Sequence, residues 1–88
     1  MNFEWDTDKA SDNQQRHGVA FDAAKEFDFK SALTVKDTRY DYGETRWRSL
    51  GMVGARLHVI VYTLREGTIR VISLRKANAR EQKEYGNG

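Results

Sequence analysis

With 88 residues the chain has room for one domain, residues 1–88, and one modest core, and it has no cysteine to supply disulfides or thiolate metal ligands. No apolar run approaches the roughly 18–20 residues of a membrane span, so no membrane partner is expected; MNFEWDTDKA has neither the basic start nor the apolar centre of a secretory signal, and the cytoplasm is the expected compartment. The net charge of +2 conceals an asymmetry: residues 1–45 carry six Lys or Arg against ten Asp or Glu, and residues 46–88 carry nine against three. Clustered cations release condensed counterions on meeting a polyanion, so the second half is where RNA, DNA or an acidic protein would dock.

In chain order, Phe3, Glu4, Trp5 and Asp6 alternate with both aromatics on one side, which predicts a strand at a sheet edge or beside a hairpin. Asp6 or Thr7 is positioned to cap a helix over residues 8–17, and Gly18 stands at the left-handed C-terminal cap. Ala10, Asn13 and His17 fall at helical spacing for its inward face. Asn13 and His17 read first as structural groups that bond backbone, with proton donation or phosphate binding the other reading for His17. Residues 19–29 predict a second short helix, in which Phe21, Ala24 and Phe27 or Asp28 recur. Residues 32–36 alternate like a half-exposed strand, and residues 37–39 begin a polar connection that holds Tyr40, Tyr42 and Gly43. A further strand spans residues 45–52, with Arg46, Arg48 and Leu50 alternating with Trp47 and Ser49; Gly51 and Gly54 close it into a turn.

Residues 56–76, RLHVIVYTLREGTIRVISLRK, form the apolar centre and predict a β-hairpin broken only at Arg65-Glu66-Gly67. Register decides which side chains share a face. A three-residue loop sets Val61 opposite Val71 and collects Leu57, Val59, Val61, Ile69 and Val71 on one face, with His58, Tyr62 and Arg70 on the other. A two-residue Glu66-Gly67 turn sets Val61 opposite Ile72 and groups His58, Tyr62, Ser73 and Arg75. The first gives the cleaner core and is preferred. Asn78 and Glu81 then match a capping box for a last helix to Tyr85, after which residues 86–88 should fray. The sum is an α+β fold, β-α-α-β-β-β-β-α, with an antiparallel sheet covered by helices on one face and its mixed face open.

Two histidines, His17 and His58, and no cysteine leave no metal-binding spacing, and no metal or cofactor is expected. Gly51-Met52-Val53-Gly54 lacks the Lys-Ser or Lys-Thr of a phosphate-binding loop, and Ser49 and Ser73 lie inside strand patterns rather than on an exposed elbow. Chemistry with cations and aromatics remains. Cleavage of RNA by its own 2′-hydroxyl needs a base, an acid and donors for the charge that builds on the phosphoryl oxygens. Arginine forks match phosphate geometry, and each preorganised donor lowers such a barrier by roughly 3–4 kcal/mol. Tyr40, Tyr42, Trp47, Tyr62 and Tyr85 offer rings for bases to stack on, and at least half of them are expected in the core or in an interface.

The motifs FEWD (3–6), RHGVAF (16–21) with Ala24 after it, RYDYGETRW (39–47), LG (50–51), VYTLR (61–65) and IRVISLRKA (69–77), with Glu81 and Tyr85 beyond, run nearly end to end. In their order and spacing the chain resembles the BrnT family of type II toxins. The resemblance implies a RelE-like fold, metal-independent RNA cleavage that arrests translation, and a BrnA-type antitoxin that binds the toxin. Promoter DNA is then contacted only indirectly, through the antitoxin's own DNA-binding segment. It also implies basic catalytic positions with an acidic neighbour: Arg65 and Glu66 in the hairpin turn, Arg75 and Lys76 in SLRKA, and Arg46 from ETRW as an outer candidate. Arg75 is expected to stabilise the transition state and Arg65 to bind phosphate, while Lys76 lacks the bidentate geometry of an arginine. Arg48, Arg70, Arg80, His58 and Tyr62 are the expected RNA contacts, although Arg70 and Arg80 also suit structural ion pairs. The alternatives are a non-catalytic module that binds RNA on the same basic face, and a protein-interaction domain that receives an acidic partner there.

Overall fold

A computed structural model describes residues 1–87. Five strands are ordered β1-β5-β4-β3-β2 in one sheet, with β1 Asn2–Glu4, β2 Leu33–Lys36, β3 Trp47–Val53, β4 Arg56–Arg65 and β5 Thr68–Lys76. Helix α1, Thr7–His17, and a 3-10 helix, Phe21–Glu26, separate β1 from β2, and α2, Ala79–Asn87, follows β5. Strands β2 to β5 are antiparallel to their neighbours, whereas β1 runs parallel to β5 at the edge, Phe3 beside Ile69.

Each end of α1 is fixed by the expected residue. The Asp6 carboxylate accepts from the N–H groups of Asp8 at 2.8 Å and Lys9 at 3.1 Å, and Gly18 takes the left-handed conformation with φ 68°. Asn13 is buried and completes the edge of β5: its side-chain amide donates to the Leu74 carbonyl at 2.7 Å, and its oxygen accepts the Leu74 N–H at 3.2 Å. His17 lies exposed at the helix end. The second helix is 3-10 rather than α because Phe21, Ala24 and Phe27 recur every third residue, which aligns them at three residues per turn.

The hairpin corrects the preferred register. Arg65 pairs with Thr68, so Glu66-Gly67 is a two-residue turn, and both residues take positive φ, 51° and 81°, as a type I′ turn requires. That register holds only as far as Tyr62 opposite Val71; a bulge then leaves Val61 opposite Ser73. One extra residue inverts the alternation of β5. Ile69, Val71 and Leu74 therefore share one face with Ile60 and Tyr62, and Arg75 turns to the other face beside Val59.

Helices cover both faces of the sheet, not one. Helix α1 and the 3-10 helix close over Ile60, Tyr62, Ile69, Val71 and Leu74, and Phe29 meets the Tyr62 ring edge-on at 5.6 Å. The mixed face expected to be open is thus the main core. On the opposite face α2 packs Tyr85 against Leu50, Leu57, Val59 and Ala77, leaving the remainder of that face to arginines. Gly51 lies inside β3 rather than in the turn, which falls at Gly54 with φ 58°. The predicted capping box forms, with Asn78 and Glu81 exchanging bonds of 2.9 Å, and α2 continues through Asn87 where fraying was expected. Gly88 lies outside the described residues. No described helix is long and apolar enough to cross a membrane.

Candidate functional site

The centre of the arginine face is a buried carboxylate. Glu81 reaches from the first turn of α2 under the sheet, where its side chain is only 7% exposed. Arg75 grips it with Nη1 on Oε1 and Nη2 on Oε2, each at 2.8 Å, the Asn78 N–H donates at 2.9 Å, and Arg48 approaches at 3.7 Å. Burial opposes a charge there, but the Arg75 fork outweighs it and holds the Glu81 carboxyl at about 2. The same bond raises Arg75, against burial and the like charge of Arg39. Two of the five guanidinium N–H donors of Arg75 are spent on Glu81, and its side chain keeps 33% of its surface open.

A second cluster forms where residues 37–46 loop out between β2 and β3. The loop is closed at its neck by the Asp37 N–H on the Arg46 carbonyl at 2.8 Å. Inside it the Asp37 carboxylate is buried and receives Arg39 twice, at 2.9 and 2.8 Å, and the Tyr42 hydroxyl at 3.1 Å. The Arg39 bonds hold Asp37 far below the usual carboxylate range and raise Arg39 in return. Arg46 lies over the Tyr42 ring at 4.1 Å and bonds Glu44 at 3.1 Å, while Arg65 reaches the other Glu44 oxygen at 3.3 Å. Those two contacts, Arg46 first, hold Glu44 below its ordinary range.

The expected site residues therefore separate. Arg75 meets Arg48 at Glu81, and Arg65 meets Arg46 at Glu44. Glu66 is exposed at the hairpin tip, and the carboxylate beside Arg65 is Glu44 instead. Lys76 is exposed, and strand alternation turns it away from Arg75 to the other face. His58 and Tyr62 are buried and share the face of Ile60; His58 Nδ1 bonds the Arg56 carbonyl at 2.9 Å and the Tyr62 hydroxyl meets Ser49 at 2.9 Å. Neither presents a ring to solvent. Arg70 pairs with Glu4 at 3.1 Å beside β1, the structural reading, and Arg80 is exposed on the first turn of α2.

Glu81, Asp37, Arg39 and Glu44 were not among the expected site residues. Glu81 was legible only as a helix cap, and its second role follows from the bulge that turns Arg75 toward it. Arg39 sits in a polar connection whose path no periodicity fixes. Among the described residues no group of three His, Asp or Glu converges to hold a metal ion.

A small α+β protein whose sheet packs its main core under helices on one side and carries arginines beside a short helix on the other is the class these features define. The chain belongs to the BrnT family: the model for "Ribonuclease toxin, BrnT, of type II toxin-antitoxin system" matches residues 5–81. Its fold is similar to the crystal structure of the Brucella abortus ribonuclease toxin BrnT, with TM-score 0.69 and 26% identity over 89% of this chain and 97% of that one. A type II toxin implies a protein antitoxin as its partner. No curated protein sequence matches the chain.

Proposed function

We propose that this chain is a metal-independent endoribonuclease of the RelE-like kind, acting in the cytoplasm to arrest translation and neutralised by a BrnA-type antitoxin. The observation that carries the reading is the convergence of Arg75 and Arg48 on the buried Glu81 carboxylate, with guanidinium donors left over toward solvent. Glu81 fixes the Arg75 plane before any substrate arrives, which is the preorganisation that makes a donor effective against charge developing on a phosphate. In this reading Arg75 stabilises the five-coordinate phosphorus and Arg48 assists. Arg65 binds an adjacent phosphate, with Arg46 behind it. Glu44, rather than Glu66, is the carboxylate beside Arg65 and Arg46, and it orients both toward that adjacent phosphate. Lys76, His58 and Tyr62 have no part in this site, and Arg70 and Arg80 contribute only to the long-range field.

The test is cleavage of a single-stranded RNA by the purified chain in excess EDTA, with product ends analysed, beside Arg75→Lys. Lysine keeps a charge next to Glu81 and loses the fork. Cleavage to 2′,3′-cyclic phosphate ends that falls at least about a hundredfold in the variant supports the reading. Folded wild-type protein that binds RNA in a salt-dependent way and yields no product would mean a non-catalytic module on the same face.

A further inference from the structure

Tyr40 is the one exposed Phe, Tyr or Trp ring among the described residues, with 72% of its surface open, and it has a fixed neighbour. Its ring rests edge-on against Tyr42 at 5.9 Å. Tyr42 in turn is fixed twice, by its hydroxyl on buried Asp37 and by the Arg46 guanidinium over its face. The remaining rings named for stacking are committed elsewhere: Tyr62 to the core, Trp47 against that core, and Tyr85 against Leu50 and Val59. Tyr40 borders a shallow hollow of about 480 Å³ lined by Lys36 and by Asp37, Asp41 and Glu44, of which Asp37 is paired with Arg39 and Glu44 with Arg46 and Arg65. Arg39, next in the chain, keeps 63% of its side chain exposed while anchored to Asp37. An exposed ring resting on a fixed neighbour in a loop that also carries Arg39 and Arg46 is the arrangement on which an unpaired base stacks.

We propose that Tyr40 is a stacking platform for one unpaired nucleobase of the RNA, flanking the phosphate held on the Arg75 face. The proposal rests on the ribonuclease reading. It adds what the guanidinium groups lack, a means of selecting single-stranded over duplex RNA. A ring already fixed by Tyr42 loses little freedom when a base covers it, and its sequence tolerance is that of any π-face.

The experiment uses the full chain and single-stranded 2′-O-methyl RNA, which lacks the nucleophile and is bound without being cut. A 2-aminopurine is walked along the strand as a fluorescent base. Quenching at one position is expected with wild type and with Tyr40→Phe, and its loss with Tyr40→Ala, together with an affinity drop of about tenfold or more. Tyr40 belongs to neither core cluster, so the variant keeps the wild-type circular dichroism spectrum. Equal affinity and equal quenching in wild type and Tyr40→Ala overturn the platform and leave the ribonuclease reading standing, whatever the variant does to antitoxin binding. Failure of the wild type to bind overturns both.

Discussion

Arg75 and Glu81 face each other fork to fork, two bonds of 2.8 Å joining the end of β5 to the first turn of α2. The Glu81 oxygen that accepts Arg75 Nη1 also accepts the Asn78 N–H, so one carboxylate closes the helix cap and orients the guanidinium. Helix start and site geometry are thereby one structure.

Replacing Arg75 with alanine accordingly does more than remove a phosphate ligand. It strands Glu81 in a buried position with only Arg48 and the cap, and breaking a buried pair costs about 3–5 kcal/mol when burial is complete. Arg75 is one-third exposed and Arg48 is close, so a loss of about 2–3 kcal/mol in urea unfolding is expected for Arg75→Ala. In the cycle with Glu81→Gln the two losses should be strongly non-additive. Additive effects would show that the pair is not coupled.

Acid should unfold the protein through the same pair. The Glu81 carboxyl lies at about 2 in the folded chain against an ordinary 4.5, so its contribution is present above 4.5 and is lost as pH falls toward 2. Asp37, depressed further by Arg39, extends the decline below that window. Stability measured by urea titration should be level near neutrality and fall steeply below pH 4.5. Glu81→Gln should be less stable at pH 7 and lose much of that slope; an unchanged slope in the variant would exclude Glu81 as its source.

Much of the fold was legible because local chemistry specified it: Asp6 and Gly18 at the ends of α1, the capping box of α2, and the strands of the hairpin. Within the hairpin the hidden parts were the turn length and one extra residue. The bulge near Ile72 carries no sequence mark, since Val71, Ile72 and Ser73 all suit a strand, yet it decides that Arg75 faces Arg48 rather than the core. The three-residue loop put Ile69 and Val71 beside Val59 instead of Tyr62, and with that error the face of His58 and Tyr62 was read as the open one. The Asp37–Tyr42 cluster was hidden for another reason: a polar connection has no period, and its path is set by one buried carboxylate.

Glu44→Gln separates RNA binding from folding. Its side chain is about a quarter exposed and its ion pairs with Arg46 and Arg65 are near the surface, so the stability loss should stay within about 1 kcal/mol. Because Glu44 orients Arg65 and Arg46, its removal should weaken binding of single-stranded RNA several-fold while leaving cleavage at saturating RNA close to wild type. Unchanged RNA affinity in Glu44→Gln would show that Arg65 and Arg46 hold phosphate without it.

Gly51 has no turn to make, and its role is steric. A Cβ there would come within 2.7 Å of Phe27 Cζ and 2.9 Å of Phe27 Cε1, with Ala32 Cβ at 3.1 Å behind. Phe27 is itself buried in the main core, so its ring has little room to retreat. Gly51→Ala should cost about 1–3 kcal/mol by overpacking. The added truncation Phe27→Leu should recover part of that loss, and thermal melts of the three variants would show it; no recovery would place the strain elsewhere.

Asn13 is the residue on which the docking of α1 depends. Its amide nitrogen donates to the carbonyls of Val19 at 2.9 Å and Leu74 at 2.7 Å, and its oxygen accepts the Leu74 N–H at 3.2 Å, all in a buried position. The edge of β5 here lies beyond the reach of β1, which pairs only with residues 68–70, so the strand ladder offers these groups no partner. Asn13→Ala leaves three backbone groups unpaired, and at about 1–3 kcal/mol for each buried unsatisfied group, offset by water that enters, a loss of about 3 kcal/mol is expected. Asn13→Asp keeps the acceptor for Leu74 N–H but turns a carboxylate oxygen toward two carbonyls, and it should be the worse of the two at neutral pH. Its deficit should shrink as the pH is lowered and the introduced carboxylate protonates, the reverse of the wild-type trend. Urea titrations at pH 7 and pH 5 would read both signs, and an Asn13→Asp protein as stable as wild type would mean that α1 can dock without this clamp.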